Sequence, residues 1–469
     1  MTTTSALNSV AEAFVVHEND HSLVAALSVD GVSILPVDTG AAQPLLYLNA
    51  AAASPADVPI LGSMMRVGQQ ITSSELSSLT GARLLRQLGL LPAANLSTFL
   101  AAHPSVVSEL LATPPAAREV SSWWSGLTAD SRQSMHESAS QLVGNLDGVP
   151  VGERYLANQR WLDESISQLE STVESSPGRT VVAESRRQIN MLEQVTETLR
   201  KASDGPIRSL LSVDPEGQGR AAVVLGDLAS ADYVTYLVPG MFFTVEGQIS
   251  DWTDDAARIY AEQVEWVQRA GLTDANGGAA AVAVVSWMGY ETPNLTNIGT
   301  LDLAYEGRDA IAAVVQGLQA ERAGDEPHIT IVAHSYGSTA ALMALTEYNF
   351  EVDALIVVGS PGSAAQSADD LHVADGNVFV GEAAWDPVPN SAFFGSDPGS
   401  AEYGAHRLDV DAGIDPITSG KLSQSIGHNG YFTEGSASLR NIAVIGVGQS
   451  DLVTGTTEPA EVKFLARER

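Results

Sequence analysis

The stretch His328-Ile329-Thr330-Ile331-Val332-Ala333-His334-Ser335-Tyr336-Gly337-Ser338-Thr339-Ala340-Ala341 constrains the fold more than any other part of the chain. It opens with β-branched and apolar residues, the pattern of a buried strand. It closes in small residues and Leu342-Met343-Ala344-Leu345, which read as a helix. Between them, Ala333-x-Ser335-x-Gly337 sets a serine at the junction of strand and helix. Such a junction lifts the hydroxyl clear of the sheet. The residues two positions away must be small, because the strand and helix backbones nearly touch there.

The rest of the chain supplies the sheet this junction needs. Ser203-Asp204-Gly205-Pro206 is a strong breaker and marks the expected boundary between a mainly helical domain, 1–205, and a second domain, 206–469. Past it, 209–213 and 221–225 flank Asp214-Pro215-Glu216-Gly217-Gln218-Gly219 as a hairpin. Strands are expected at 233–238, 281–287, 354–358, 378–383 and 407–410. Helices are expected at 252–270, 301–322 and 434–445. This alternation implies an α/β architecture with a mostly parallel, doubly wound sheet covered on both faces. Upstream, 73–111 reads as helix broken at Pro92 and Pro104, and one further helix runs from Trp123-Trp124 through Val143. Leu162, Ile166, Leu169 and Val173, then Ile189, Leu192, Val195 and Leu199, keep helical spacing on either side of Ser175-Ser176-Pro177-Gly178, so a helical hairpin is expected. Residues 1 to about 60 carry short apolar runs at 23–27 and 32–35 but no assignable pattern.

Charge and composition exclude several function classes. With 24 Lys+Arg against 57 Asp+Glu, the formal charge is −33, which repels phosphate backbones and anionic membranes; no nucleic-acid partner is expected. There is no cysteine, hence no disulfide, thiol nucleophile or Cys-based zinc site. No metal-ligand spacing or phosphate-cradling loop stands out, so neither metal nor cofactor is expected. Met1-Thr2-Thr3-Thr4-Ser5-Ala6-Leu7-Asn8 lacks the marks of a secretory signal, and no run of about 18 apolar residues occurs, so a cytoplasmic protein without a membrane span is expected.

If Ser335 is a nucleophile, its partners must lie at strand carboxyl ends in the order serine, acid, histidine. Asp386 stands at the end of the second strand after Ser335, and His428 lies in the loop after the third. His428 would act as general base, Asp386 would orient the imidazole, and the developing oxyanion would need two backbone N–H donors. Tyr336 and Met241, the latter in the loop Pro239-Gly240-Met241-Phe242, are the expected donors. His334 reads as a packing residue, His406 comes too early to be the base, and Asp397, Asp409, Asp411 and Asp415 are competing acids. Phe242, Trp287 and Tyr290 are candidates to line a substrate pocket, the last two reading equally as core; Phe393, in Phe393-Phe394-Gly395, is a candidate rim residue.

Val238-Pro239-Gly240, Ser286-Trp287-Met288-Gly289-Tyr290, Ala333-His334-Ser335-Tyr336-Gly337, Gly359-Ser360-Pro361-Gly362, Asp386-Pro387 and Gly427-His428-x-x-Tyr431-Phe432 together resemble an actinobacterial α/β-hydrolase family long catalogued as a domain of unknown function. Trp123-Trp124 and Gly144-Asn145-Leu146-Asp147-Gly148-Val149-Pro150 look like that family's linker after a helical amino-terminal region, and the similarity runs over roughly 120–450. The resemblance implies an α/β-hydrolase fold and a Ser335–Asp386–His428 triad, but no settled substrate. The expected activity is hydrolysis of a small-molecule carboxylic ester. An amidase or peptidase with the same triad, or an interaction protein with an idle site, are the other readings. The helical region is a candidate cap over the site entrance, by analogy with other two-domain hydrolases. Oligomeric state is not legible.

Overall fold

A computed structural model describes residues 73–456 other than 177, 202–204 and 390. The apolar runs at 23–27 and 32–35 lie outside the described residues, as does part of the breaker at 203–206. Two compact units divide between Leu79 and Thr80. Of the first, the described part is a short helix, α1 (Ser73–Ser77).

The second unit is built on a nine-stranded sheet. Its strands are β1 (Arg208–Asp214), β2 (Arg220–Gly226), β3 (Tyr233–Val238), β4 (Val282–Met288), β5 (His328–His334), β6 (Ala354–Val358), β7 (Val378–Gly381), β8 (His406–Leu408) and β11 (Gly455–Thr456). They lie in the order β1-β2-β4-β3-β5-β6-β7-β8-β11. Strands β3 to β8 run parallel; β1 and β2 form the expected antiparallel hairpin, and β11 closes the far edge antiparallel to β8. This is the α/β-hydrolase fold. A two-stranded ribbon, β9 (Gly413–Ile414) with β10 (Lys421–Leu422), stands apart between β8 and the His428 loop. Sequence periodicity gives no sign of β9, β10 or β11, since two-residue strands are too short to show a period.

The central strands are apolar on both sides because each side faces a separate core. Val234, Tyr236 and Val238 of β3, Ala283, Val285 and Trp287 of β4, and Ile329, Ile331 and Ala333 of β5 enter one core, and Leu237, Val284 and Val332 enter the other. Helices α11 (Asp302–Glu321) and α12 (Tyr336–Glu347) close the first through Ile311, Val315, Leu318 and the run Ala340–Leu345. Helices α10 (Val245–Ala270) and α13 (Ala437–Gly446) close the second through Ile249, Trp252, Ile259, Leu439 and Ile442. Period-2 side chains feeding two helical layers are the physical content of a doubly wound sheet.

Helix α10 begins seven residues before the expected start at Trp252. Thr244 caps it: its Oγ1 accepts the Gly247 N–H at 3.1 Å, while Gln248 Oε1 accepts the Thr244 N–H at 2.8 Å. Capping thus recovers a polar first turn that contains a glycine. The single helix expected through Trp123–Val143 is instead three: α5 (Ala117–Gly126), α6 (Ala129–Ser138) and α7 (Ser140–Asn145). Thr128 breaks the run by capping α6, accepting from Ser131 N, and Ala139 breaks it again outside helical φ/ψ. Before them, α2 (Gly81–Leu88), α3 (Ala93–Ala102) and α4 (Ser105–Ala112) are separated at Pro92 and Pro104 as expected. The helical hairpin is present as α8 (Val151–Ser175) and α9 (Arg179–Arg200). Its Leu162, Met191, Leu192 and Val195 are buried in the second core together with Leu210 and Val213 of β1. No helix of the described residues is long and apolar enough to cross a membrane.

Candidate active site

Strand β5 delivers Ser335 to the carboxyl edge of the parallel strands, at the head of α12. Its backbone lies at φ 54°, ψ −130°, a conformation that L-residues rarely adopt. Local hydrogen bonds hold it there. Ser335 N–H donates to Val358 O at 3.0 Å, and Ser335 O accepts from both the N–H and the hydroxyl of Ser338, at 2.9 and 2.6 Å. The small residues predicted around the elbow are required by contact with the loop after β3. A β-carbon at Gly337 would fall 2.3 Å from Pro239 O, and one at Gly240 would fall 2.5 Å from Ser335 Cβ.

Three loops then meet. Ser335 Oγ lies 2.7 Å from His428 Nε2, and His428 Nδ1 lies 2.9 Å from Asp386 Oδ1. With the ring proton on Nδ1, that nitrogen donates to the carboxylate and Nε2 accepts the serine proton. The Asp386 side chain is fully buried and accepts three donors: His428 Nδ1–H, the Val388 N–H at 3.0 Å, and the Tyr431 hydroxyl at 2.6 Å on Oδ2. Burial alone would raise its pKa, but the His428 hydrogen bond and charge, with Tyr431 and Val388, outweigh that and hold the carboxyl below its usual range. Tyr431 also accepts the Ala383 N–H at 2.9 Å, so one phenol ties the acid to the strand end that carries it. Burial, then the Asp386 charge, keeps that phenol protonated. Gly359, at φ 61°, leaves the room the trio needs: a β-carbon there would lie 2.9 Å from Asp386 Oδ2 and 3.1 Å from the His428 ring.

His334 is buried, as a packing residue should be, yet it also makes a polar bond. Its Nε2 lies 2.6 Å from the carbonyl oxygen of His428, and a carbonyl only accepts, so Nε2 carries the proton. The two imidazoles pack at 4.7 Å between centroids, with Trp252 and Phe432 also against His334. Burial, then repulsion by His428, lowers its pKa to about 3, so the ring stays neutral at ordinary pH.

Tyr336 is the first residue of α12, so its N–H has no acceptor within the helix. The Pro239–Met241 loop, carrying the second expected donor, touches Ser335 through Gly240. The Tyr290 hydroxyl donates to Pro239 O at 2.7 Å and holds that loop down. Tyr290 and Trp287 are both buried in the first core, their rings stacked at 6.0 Å between centroids. Phe242 and Phe393 are partly exposed, and Phe393 leans on Phe394, whose ring meets that of Tyr336 at 5.5 Å. Of the competing acids, Asp415 forms a buried ion pair with Arg440 at 2.8 Å, which anchors the ribbon segment to α13. His406 packs on Phe379. Sequence reasoning assigned no role to Tyr431, Gly359 or the polar bond of His334. The spacing Gly427-His428-x-x-Tyr431 was visible, but which atom a phenol meets is set by the loop's path.

Comparison with known proteins follows the same outline. Residues 214–396 match the family described as Alpha/beta hydrolase. An uncharacterized protein of Mycobacterium tuberculosis is 30% identical over 396 residues, spanning 74% of this chain and 58% of that protein. The chain thus spans little more than half the length of that relative. An uncharacterized protein of Mycobacterium bovis is 30% identical over 223 residues, spanning 45% of this chain and 80% of that protein. Among solved structures, carboxyl esterase 2 from the mycorrhizal fungus Tuber melanosporum aligns at 13% identity and a TM-score of 0.31, covering 54% of this chain and 87% of that one.

Proposed function

Since the chain belongs to the alpha/beta-hydrolase family, we propose that it is a serine hydrolase that cleaves carboxylic esters through an acyl-enzyme intermediate. The observation that carries this reading is the unbroken line of hydrogen bonds from Ser335 Oγ through His428 to buried Asp386.

In the proposed reaction Ser335 Oγ attacks the ester carbonyl carbon as His428 Nε2 takes the hydroxyl proton. Asp386, held ionised, stabilises the imidazolium and fixes its tautomer. The oxyanion is received by the N–H groups of Tyr336 and Met241; losing one such donor costs about 10²–10³ in rate. His428 then gives its proton to the leaving alkoxide, which departs as alcohol and leaves Ser335 acylated. Water repeats the sequence, with His428 as base and Ser335 as leaving group, to release the acid. Within this proposal 206–469 carries the chemistry, and α8 and α9 support it by burying one side of β1.

The test is turnover of matched ester and amide substrates by the full chain and by Ser335→Ala. Ester hydrolysis that disappears in the variant supports the reading. Faster cleavage of the amide would transfer it to an amidase with the same machinery. Turnover that persists in Ser335→Ala would refute the nucleophile.

A further inference from the structure

Four of the exposed large apolar side chains stand on the loops that carry the reacting groups. Phe242 follows Met241, Trp385 precedes Asp386, Ile426 lies two residues before His428, and Phe393 lies on the loop that meets Tyr336 through Phe394. The Trp385 and Ile426 segments run side by side, since Ala384 bridges Ile426 and the Gly427 N–H donates to Ala384 O at 2.8 Å. Trp385 is 75% exposed and Ile426 60%, while the side chain of neighbouring Asp386 is 0% exposed. Phe242 and Phe393 are exposed at 37% and 38%.

Backbone strain falls at the same positions. Phe242 has φ 65°, Trp385 has φ 63°, and Ala392, just before Phe393, has φ 46°. A side chain at positive φ costs stability, and a tryptophan left in water contributes none by burial. Neither helps the chain fold, yet both occur together beside the second oxyanion donor and beside the acid. Strain of this kind clusters where a ligand is received. The formal charge of −33 disfavours a carboxylate, a phosphate or an anionic surface as the ligand, so the group received is both apolar and uncharged.

We propose that Phe242, Trp385, Phe393 and Ile426 form a subsite for the alkyl chain of the ester, which makes the substrate class uncharged esters bearing a medium or long alkyl chain. This rests on the ester-hydrolase reading above and specifies its substrate. The chain lies across apolar side chains on the rim, while its carbonyl reaches Ser335 between the oxyanion loop and the His428 loop.

The experiment compares kcat/KM for p-nitrophenyl decanoate and p-nitrophenyl acetate in the full chain. The wild type favours decanoate, and the Trp385→Ser, Ile426→Ser double variant lowers the decanoate-to-acetate ratio about tenfold or more. Ile207→Ser, an equally exposed residue just before β1, leaves the ratio unchanged. An unchanged ratio in the double variant, or an equal fall in Ile207→Ser, overturns the proposal. A binding readout separates this from the underlying reading. In Ser335→Ala, ethyl decanoate shifts tryptophan emission to the blue, ethyl acetate does not, and an added Trp385→Phe removes the shift. A wild type that hydrolyses no ester but gives this shift in the Ser335→Ala background refutes the reaction and keeps the subsite. No shift overturns the subsite.

Discussion

Replacing His334 by leucine tests how the buried imidazole beside Ser335 is held. In the folded chain its pKa is lowered to about 3, against an ordinary value of about 6.5 in an unfolded chain. A base depressed in this way is neutral in the native state while the unfolded chain binds a proton. Stability must therefore rise with pH through the interval between the two values and fall on acidification. Between about pH 7 and about pH 5 the difference in proton binding costs the wild type about 2 kcal/mol from this one group. His334→Leu removes that dependence. It also leaves the His428 carbonyl, 2.6 Å from Nε2, without its donor, a loss of about 1–3 kcal/mol at either pH. Urea unfolding of both proteins at the two pH values isolates the effect, because every other titrating group cancels in the difference. The stability gap should narrow by about 2 kcal/mol on going to pH 5. A gap that stays constant would mean that His334 titrates normally, and the account of a neutral imidazole held against His428 would be wrong.

Other substitutions probe the remaining contacts. Tyr431→Phe removes the donor to Asp386 Oδ2 and the acceptor of the Ala383 N–H, and should destabilise the fold by about 2–4 kcal/mol. Because the native Asp386 carboxyl is depressed, its stabilising contribution is present above the unfolded value and lost as pH falls through the folded one. The stability lost in the variant should therefore shrink as pH falls through the range where the Asp386 carboxyl protonates, and a loss of equal size at every pH in urea unfolding would exclude this role for Tyr431. Gly240→Ala places a methyl 2.5 Å from Ser335 Cβ; kcat should fall about 10²-fold while the circular dichroism spectrum is kept, and near-wild-type kcat would show that the loop does not abut Ser335. Arg440→Leu strands Asp415 in a buried site and should cost about 3–5 kcal/mol in urea unfolding, whereas a change within about 0.5 kcal/mol would show that the pair is not buried as described.

What the sequence disclosed follows from which physical signals are local. The two-sided burial of β3, β4 and β5 appears as continuous apolar runs, and the Ala333-x-Ser335-x-Gly337 junction carries its own steric reason, so the central sheet and the place of Ser335 in it were legible. The start of α10 was not, because the Thr244 cap rather than apolar spacing extends it. The three short helices between Ala117 and Asn145 read as one because Gly126, at the end of α5, is tolerated within a helical pattern and the breaks at Thr128 and Ala139 contain no Pro. At the site, Ser335, Asp386 and His428 were found by order along the chain. The Tyr431–Asp386 and His334–His428 bonds depend on how two loops fold back, which no local pattern encodes. Trp287 and Tyr290 looked equally suited to pocket and core; both are buried, and the Tyr290 phenol meets Pro239 O beneath the loop after β3.

The most direct test is labelling of the folded full chain with an active-site-directed fluorophosphonate, with the modified peptide identified by mass spectrometry. A hydroxyl activated by His428 should take up one label, on Ser335, with labelling slowed by several orders of magnitude in His428→Ala. A folded chain that takes no label, or takes it on another residue with Ser335 unmodified, would contradict the assignment of this serine as the nucleophile.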